Sequence, residues 1–237
     1  MNNISNHIVD VVFISNATTK NLKIVTQNAI DTCIRGAKGI LINCIVIESV
    51  KDISYNNAIT YNLDIPFNYN AYLNFGARKG AGKYIMCCNN DLVFTPNWLI
   101  NLLKEDYPIV SPISPRDIRQ RKITLNEKGY ICGRNLSGWA FMIKRSLWEQ
   151  IGGFDEDFDF WFADNSLIGQ LKNINIPPML VVSSIVNHLG SVTLNRLPPV
   201  QKQNLMWAKL ELYNKKYNDN LFITNENYLK WKKSQLQ

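Results

Sequence analysis

Residues 83–91, Lys-Tyr-Ile-Met-Cys-Cys-Asn-Asn-Asp, pass without a linker from an apolar run to three polar side chains. A short apolar run flanked by turn residues predicts a strand buried on both faces, as in a parallel sheet covered by helices. The polar triplet then falls at the carboxyl end of that strand, where open α/β sheets bind ligands. Upstream, Tyr72 to Lys79 carries a helical pattern closed by Gly80 and Gly82. Before it lies an Asn- and Asp-rich stretch in which Pro66 excludes a long regular element. Ile40 to Ile47 predicts another buried strand, ending at Glu48-Ser49, and Val9 to Ile14 a first one. Between them, Ser15 to Thr19 offers caps for a helix over Lys20 to Arg35, which Gly36 and Gly39 stop. Downstream, Thr95-Pro96 opens a helix carrying Trp98, Leu99, Leu102 and Leu103, and Ile109 to Ile113 predicts a fourth strand. Strand and helix alternate throughout, which argues for an α/β fold with a largely parallel central sheet flanked by helices.

The second half is less regular. Arg116 to Gly133 predicts a loop or hairpin, Trp139 to Ile143 a strand, Arg145 to Ile151 and Asn165 to Lys172 short helices, and Met179 to Ile185 a strand leading to His188. Lys202 to Tyr217 is amphipathic and predicts a helix. The 237 residues show no internal repeat or linker, so one domain is expected. Its parts are a nucleotide-binding half over about 8–95, an acceptor and catalytic half over about 96–197, and a helical tail over about 198–237.

A formal charge of +7 suits an anionic partner without choosing among a nucleotide, a nucleic acid and an acidic membrane. Five cysteines without C-x-x-C spacing fit a reducing compartment better than a disulfide framework. The amino terminus lacks the basic and apolar regions of a signal peptide, and the apolar run Ile40 to Ile47 is too short to cross a bilayer. The expected location is cytoplasmic, free or peripheral at the membrane face.

Three strand ends, Ser15-Asn16, Glu48-Ser49 and Asn89-Asn90-Asp91, offer short polar groups suited to a base, a ribose or a metal-bound diphosphate. Taken alone, Asn-Asn-Asp reads equally as a metal site and as a turn before Pro96. Gly76 to Lys83 is not a P-loop: the glycine spacing is one residue too long, Tyr84 replaces Ser or Thr, and the segment precedes a strand.

Together these segments resemble family 2 glycosyltransferases. Asn70, Asn74 and Gly76 match an N-x-x-x-N-x-G helix, Gly82-Lys83-Tyr84-Ile85 a G-x-Y strand, and Asn89-Asn90-Asp91 the Asp-x-Asp motif. Gly138 to Arg145 resembles the block before the family's G-G-F-D-E turn, here Ile151 to Glu156. Trp161-Phe162-Ala163-Asp164 resembles its Glu-Asp pair, and His188-Leu189-Gly190-Ser191 its late histidine. The resemblance spans residues 9 to 193 and implies a GT-A fold, a Rossmann-like nucleotide-binding half joined to an acceptor half. It implies inverting transfer from a nucleoside-diphosphate sugar with Mn2+ or Mg2+. Asp91 and His188 would hold the metal and Asp164 would be the general base. Ser15, Glu48, Asn74, Asn89 and Asn90 would serve the nucleotide, and Gly138 and Trp139 would lie near the sugar or acceptor.

Two departures stand out. Asn89 replaces the first Asp of the Asp-x-Asp motif, and Ala163 replaces the Glu before Asp164, leaving Asp164 alone there. A non-catalytic binder of sugar nucleotides or glycans is therefore the alternative. Trp161 reads first as a core aromatic and Trp139 first as a sugar platform. Arg116, Arg119, Arg121 and Lys122 read first as a solvated face. Acceptors compatible with the basic charge are a glycan, a lipid-linked glycan or a modified base in DNA.

Overall fold

A computed structural model describes residues 8–190 and 198–235; Ser191, the last residue of the histidine motif, lies outside them. The first half runs β1 (Val9–Ser15), α1 (Lys20–Gly36), β2 (Ile42–Glu48), β3 (Ile59–Asn62), α2 (Tyr69–Lys79) and β4 (Tyr84–Asn89). It continues through β5 (Leu92–Phe94), α3 (Trp98–Leu103), β6 (Ile109–Ile113), β7 (Glu127–Lys128), β8 (Ala140–Lys144) and α4 (Arg145–Gln150). Then come α5 (Ala163–Asn173), β9 (Met179–His188), α6 (Pro199–Trp207), α7 (Leu210–Tyr217) and α8 (Glu226–Ser234). Helices α1 and α2 start where polar side chains cap them: Thr19 accepts from the Leu22 amide, and Asn68 from the Ala71 amide.

The strands form one sheet in the order β3-β2-β1-β4-β8-β6-β9-β5, with β7 on β9. The alternation of strand and helix gives the expected parallel pairing of β3, β2, β1 and β4. Strand β8 is antiparallel to both β4 and β6, so the far half is mixed. The cause is the connection: residues 114–139 contain no crossover helix, and a parallel return needs one. Strands β3 and β5 and helix α8 carry no clear sequence pattern. The amphipathic stretch from Lys202 onward is two helices, the break at Ala208-Lys209 leaving both Trp207 and Leu210 buried.

Alternate residues of the central strands feed two cores. Val12, Ile14, Ile45, Ile47 and Ile85 pack with α2, α5 and α7, while Val11, Phe13, Val46 and Met86 pack with α1 and α3. Both faces being covered explains why these strands read as continuous apolar runs. Helix α2 lies close on β1 because Gly76 has no side chain; a Cβ there would stand 2.3 Å from Val12 Cγ1.

One charged pair clamps the end of the sheet remote from Asp91. Asp10, wholly buried in β1, accepts from Gly82 N at 2.6 Å, Asn43 Nδ2 at 2.9 Å and Arg145 Nη2 at 2.7 Å. Arg145 also donates to the Gly82 and Ala77 carbonyls, each at 2.7 Å. It thereby ties the β8–α4 junction of the mixed half to the parallel half. Replacing Arg145 by Ala removes the charged partner of a buried carboxylate, and we expect a loss of about 3–5 kcal/mol in urea unfolding. A loss below about 1 kcal/mol, the size of an exposed pair, would contradict this role.

Candidate active site

The parallel strands β1, β2 and β4 end together, which gathers Ser15, Glu48 and Asn89-Asn90-Asp91 at one rim. Asp91 leaves β4 and is followed at once by β5, which pairs with the end of β9 so that Leu92 stands opposite His188. The Leu189 amide donates to the Asp91 carbonyl at 2.9 Å. The result is His188 Nε2 lying 3.2 Å from Asp91 Oδ1, with the Asp91 side chain 7% exposed and that of His188 19%. The two are close without a hydrogen bond, and Nε2 is buried with no partner among the described residues. A carboxylate oxygen and an imidazole nitrogen at that separation suit adjacent ligands on one cation, whose bonds to each are about 2.0–2.2 Å. No group of three or more His, Cys, Asp or Glu side chains forms a metal cluster among the described residues. Two protein ligands fit a Mg2+- or Mn2+-type ion, which completes its shell with phosphate oxygens and water.

Trp139 forms the wall of this pair. Its indole stacks on the His188 ring at 5.5 Å and 13° and is 6% exposed, with Nε1 lacking a hydrogen-bond partner among the described residues. The Trp139 carbonyl receives the Asn89 amide at 2.9 Å, which joins β8 to the polar triplet. The ring thus supports the candidate metal ligand from within the core.

The first-loop residues form a hydrogen-bonded chain. Glu48, wholly buried, accepts from the Ala17 amide at 3.0 Å, the Val50 amide at 2.9 Å and the Tyr55 hydroxyl at 2.7 Å. Tyr55 also meets Ser15 Oγ at 3.1 Å, Ser15 meets Thr26 Oγ1 at 3.0 Å, and Asn90 Nδ2 donates to Thr26 Oγ1 at 2.9 Å. Burial, and secondarily the Glu48 carboxylate, push the Tyr55 hydroxyl up to about 12, so it remains a donor at neutral pH. The polar side-chain atoms of Glu48 and Ser15 are thus engaged by the chain itself and brace the loop that follows β1.

Asp164 sits in the first turn of α5, where the helix dipole favours a carboxylate. Its Oδ1 accepts from the Asn165 amide at 3.0 Å and its Oδ2 from the Gly138 amide at 3.4 Å. Phe162, just before the helix, is held at φ +66°, a strained backbone for a bulky residue. Gly138 fits because it lacks a Cβ, which would stand 3.2 Å from Asp164 Cβ and 3.3 Å from Oδ2. The Tyr69 hydroxyl donates to the Gly138 carbonyl and fixes that turn from below. The Cys132 thiol lies beside Asp164, and burial, then the Asp164 charge, keep it protonated.

Asn74 is not brought to this site. Its side chain is buried and fully engaged by the Gly152-to-Glu156 turn: Nδ2 donates to Phe154 O and Glu156 Oε1, each at 2.8 Å. Its Oδ1 accepts from Phe154 N at 2.8 Å and Trp148 Nε1 at 3.1 Å. Both polar atoms of the amide, expected from the sequence to serve the nucleotide, are engaged within the chain. Asn70 donates to the Asp155 carbonyl at 2.8 Å from the same helix face. The N-x-x-x-N pattern on α2 is thus a latch on the G-G-F-D-E turn.

Arg119, which sequence reasoning assigned to a solvated face, lies beside the candidate site. Arg119 forks onto Asp117, Nε to Oδ1 at 3.1 Å and Nη2 to Oδ2 at 2.9 Å. Burial raises the Asp117 carboxyl, but the Arg119 donors outweigh it and, with some help from His188, hold it below the usual range. Arg119 reaches the cavity that Asp164 lines. A basic run in the sequence carries no signal of such a fork.

The sheet order, the polar rim beyond β4 and the mixed second half meet in one known architecture. The fold is that of the GT-A glycosyltransferases. No family model and no curated protein matches the sequence. Among solved structures, GalNAc-T7 with UDP, GalNAc and Mn2+ superposes at TM-score 0.60 and 12% identity, over 95% of this chain and 58% of its own. The mannosyltransferase PcManGT of Pyrobaculum calidifontis, in complex with GDP-Man and Mn2+, superposes at TM-score 0.61 and 14% identity, over 97% and 73%. The catalytic domain of Drosophila beta1,4galactosyltransferase 7, complexed with xylobiose, gives TM-score 0.51 and 14% identity over 77% and 71%. At such identities the likeness establishes the GT-A fold, and this chain spans well under two thirds of GalNAc-T7.

The latch reading makes a separable prediction. Asn74→Ala should lower stability by about 2–4 kcal/mol, since it strands two buried backbone groups and an indole N–H, while leaving affinity for a manganese–nucleotide complex unchanged in calorimetry on the folded variant. A selective loss of nucleotide affinity at unchanged stability would restore Asn74 to the binding site.

Proposed function

We propose that this chain is a metal-dependent, inverting glycosyltransferase that moves a sugar from a nucleoside-diphosphate donor to an acceptor hydroxyl. The observation that carries the reading is the unbonded meeting of Asp91 Oδ1 and His188 Nε2 at 3.2 Å, beyond the β4 end of a GT-A sheet. The solved neighbours GalNAc-T7 and PcManGT hold Mn2+ with UDP and GDP-Man respectively, which supports the same donor class here.

In this reading Asp91 and His188 hold Mn2+ or Mg2+, and Trp139 keeps the imidazole in place. When bound, the ion neutralises charge on the departing diphosphate. Asn89 and Asn90 lie at the same rim, and the loop from Ser15 to Ala17, braced by Glu48 and Tyr55, faces the nucleoside. Asp164 accepts the proton of the acceptor hydroxyl as it attacks the anomeric carbon from the face opposite the diphosphate. The Gly138 amide and the first turn of α5 fix the direction of that carboxylate. Five free thiols, four of them buried, suit a reducing compartment such as the cytoplasm. Among the described residues no helix is long and apolar enough to cross a membrane.

The test is a panel of UDP-, GDP- and dTDP-sugars incubated with the protein and Mn2+, read by chromatography of released nucleoside diphosphate. One donor should be slowly hydrolysed, and chelator or Asp91→Ala should abolish release. Asp164→Asn should retain donor binding and lose about 10²–10⁴-fold in transfer, the range of a general base. A binder would show metal-dependent nucleotide affinity with no turnover and no effect of Asp164→Asn; Ala163, buried beside Asp164, is the feature that favours it. Absence of both nucleoside-diphosphate release and metal-dependent nucleotide binding would refute the proposal.

A further inference from the structure

Next to Asp164 lies a cavity of about 610 Å³, inside the roughly 300–1,000 Å³ range of small-ligand sites. Its walls include Tyr130 and Trp161 from the motif-bearing part of the chain and Met206, Trp207 and Phe222 from the carboxyl-terminal segment. That segment lies beyond every motif in the sequence, yet it turns back onto the candidate base. Phe222 is held edge-on by Phe162 and Trp207, but remains 46% exposed. An aromatic wall of this kind matches the apolar C–H face of a sugar.

Charge narrows the ligand further. The two cations at the cavity are committed, Arg119 to Asp117 at 2.9 Å and Lys172 to Asp219 at 3.5 Å. The charge left over is the Asp164 carboxylate, which repels anions. We infer that this cavity is the acceptor subsite and that its occupant is an uncharged saccharide, gripped by Trp161 and by Phe222 of the carboxyl-terminal segment. This rests on the glycosyltransferase reading for the word acceptor, but not for the binding itself. A phosphorylated glycan, a lipid diphosphate or DNA would have to place its charge against Asp164.

The experiment is calorimetry on the full chain with methyl hexosides and neutral disaccharides, beside hexose 1-phosphates and hexuronic acids as anionic probes. At least one neutral saccharide should bind, and better than its anionic counterpart. Phe222→Asp, at a half-exposed position, should weaken that saccharide about tenfold, as removal of an aromatic anchor does. Trp161→Phe, which replaces the indole of the wall by a smaller phenyl ring, should weaken it about fivefold. Tighter binding of the anionic probes, absence of any saccharide binding, or unchanged affinity in Phe222→Asp would overturn the inference. Failure of donor hydrolysis in the wild type alongside saccharide binding would instead count against the glycosyltransferase reading.

Discussion

Strand β5 is three residues long, and its antiparallel register on β9 sets Leu92 opposite His188, with a further bond from the Leu189 amide to the Asp91 carbonyl. These backbone bonds bring together two side chains that are almost a hundred positions apart in the chain. Neither Asp91 nor His188 could hold its direction alone at the edge of a core. Antiparallel pairing fixes both at once, because each further residue of register shift would turn one of them to the opposite face of the sheet. Trp139, stacked on His188, then removes the remaining freedom of the ring.

The rest of the molecule makes that geometry stiff. On one side, the chain of bonds from Glu48 through Tyr55, Ser15 and Thr26 to Asn90 joins the ends of β1, β2 and β4 to α1. On the other, Gly138 joins β8 to the first turn of α5 through Asp164. At the far end of the sheet, Asp10 and Arg145 clamp the parallel half to the mixed half. Candidate metal ligands and candidate base thus stand on different elements, and their separation depends on contacts none of them makes directly. Such fixed placement is what transfer between two bound substrates requires.

Much of this was legible in the sequence. The runs from Val9, Ile42 and Tyr84 are predominantly apolar, Asp10 and Asn43 apart, because both faces are covered, and their polar ends mark the rim. What the sequence hid depends on partners remote in the chain. Strands β3 and β5 are too short to carry a period of their own, and exist because β2 and β9 offer them edges. Strand β8 reads as a strand but not as an antiparallel one, since direction is set by the connection and not by composition. Asn74 has the motif position of a ligand contact and the hydrogen bonds of a latch. Arg119 reads as surface charge, and only the fold turns its guanidinium onto Asp117. The tail has no motif at all, yet supplies Trp207 and Phe222 to the cavity beside Asp164.

The central claim is that Asp91 and His188 share a divalent ion in the presence of a nucleoside diphosphate. Mn2+ binding followed by electron paramagnetic resonance, with UDP or GDP added, reads it directly. The account predicts that one nucleotide sharply lowers free Mn2+ with the wild-type chain, and that Asp91→Asn and His188→Ala each abolish the effect without unfolding the protein. Nucleotide-dependent Mn2+ binding that survives both substitutions would contradict it.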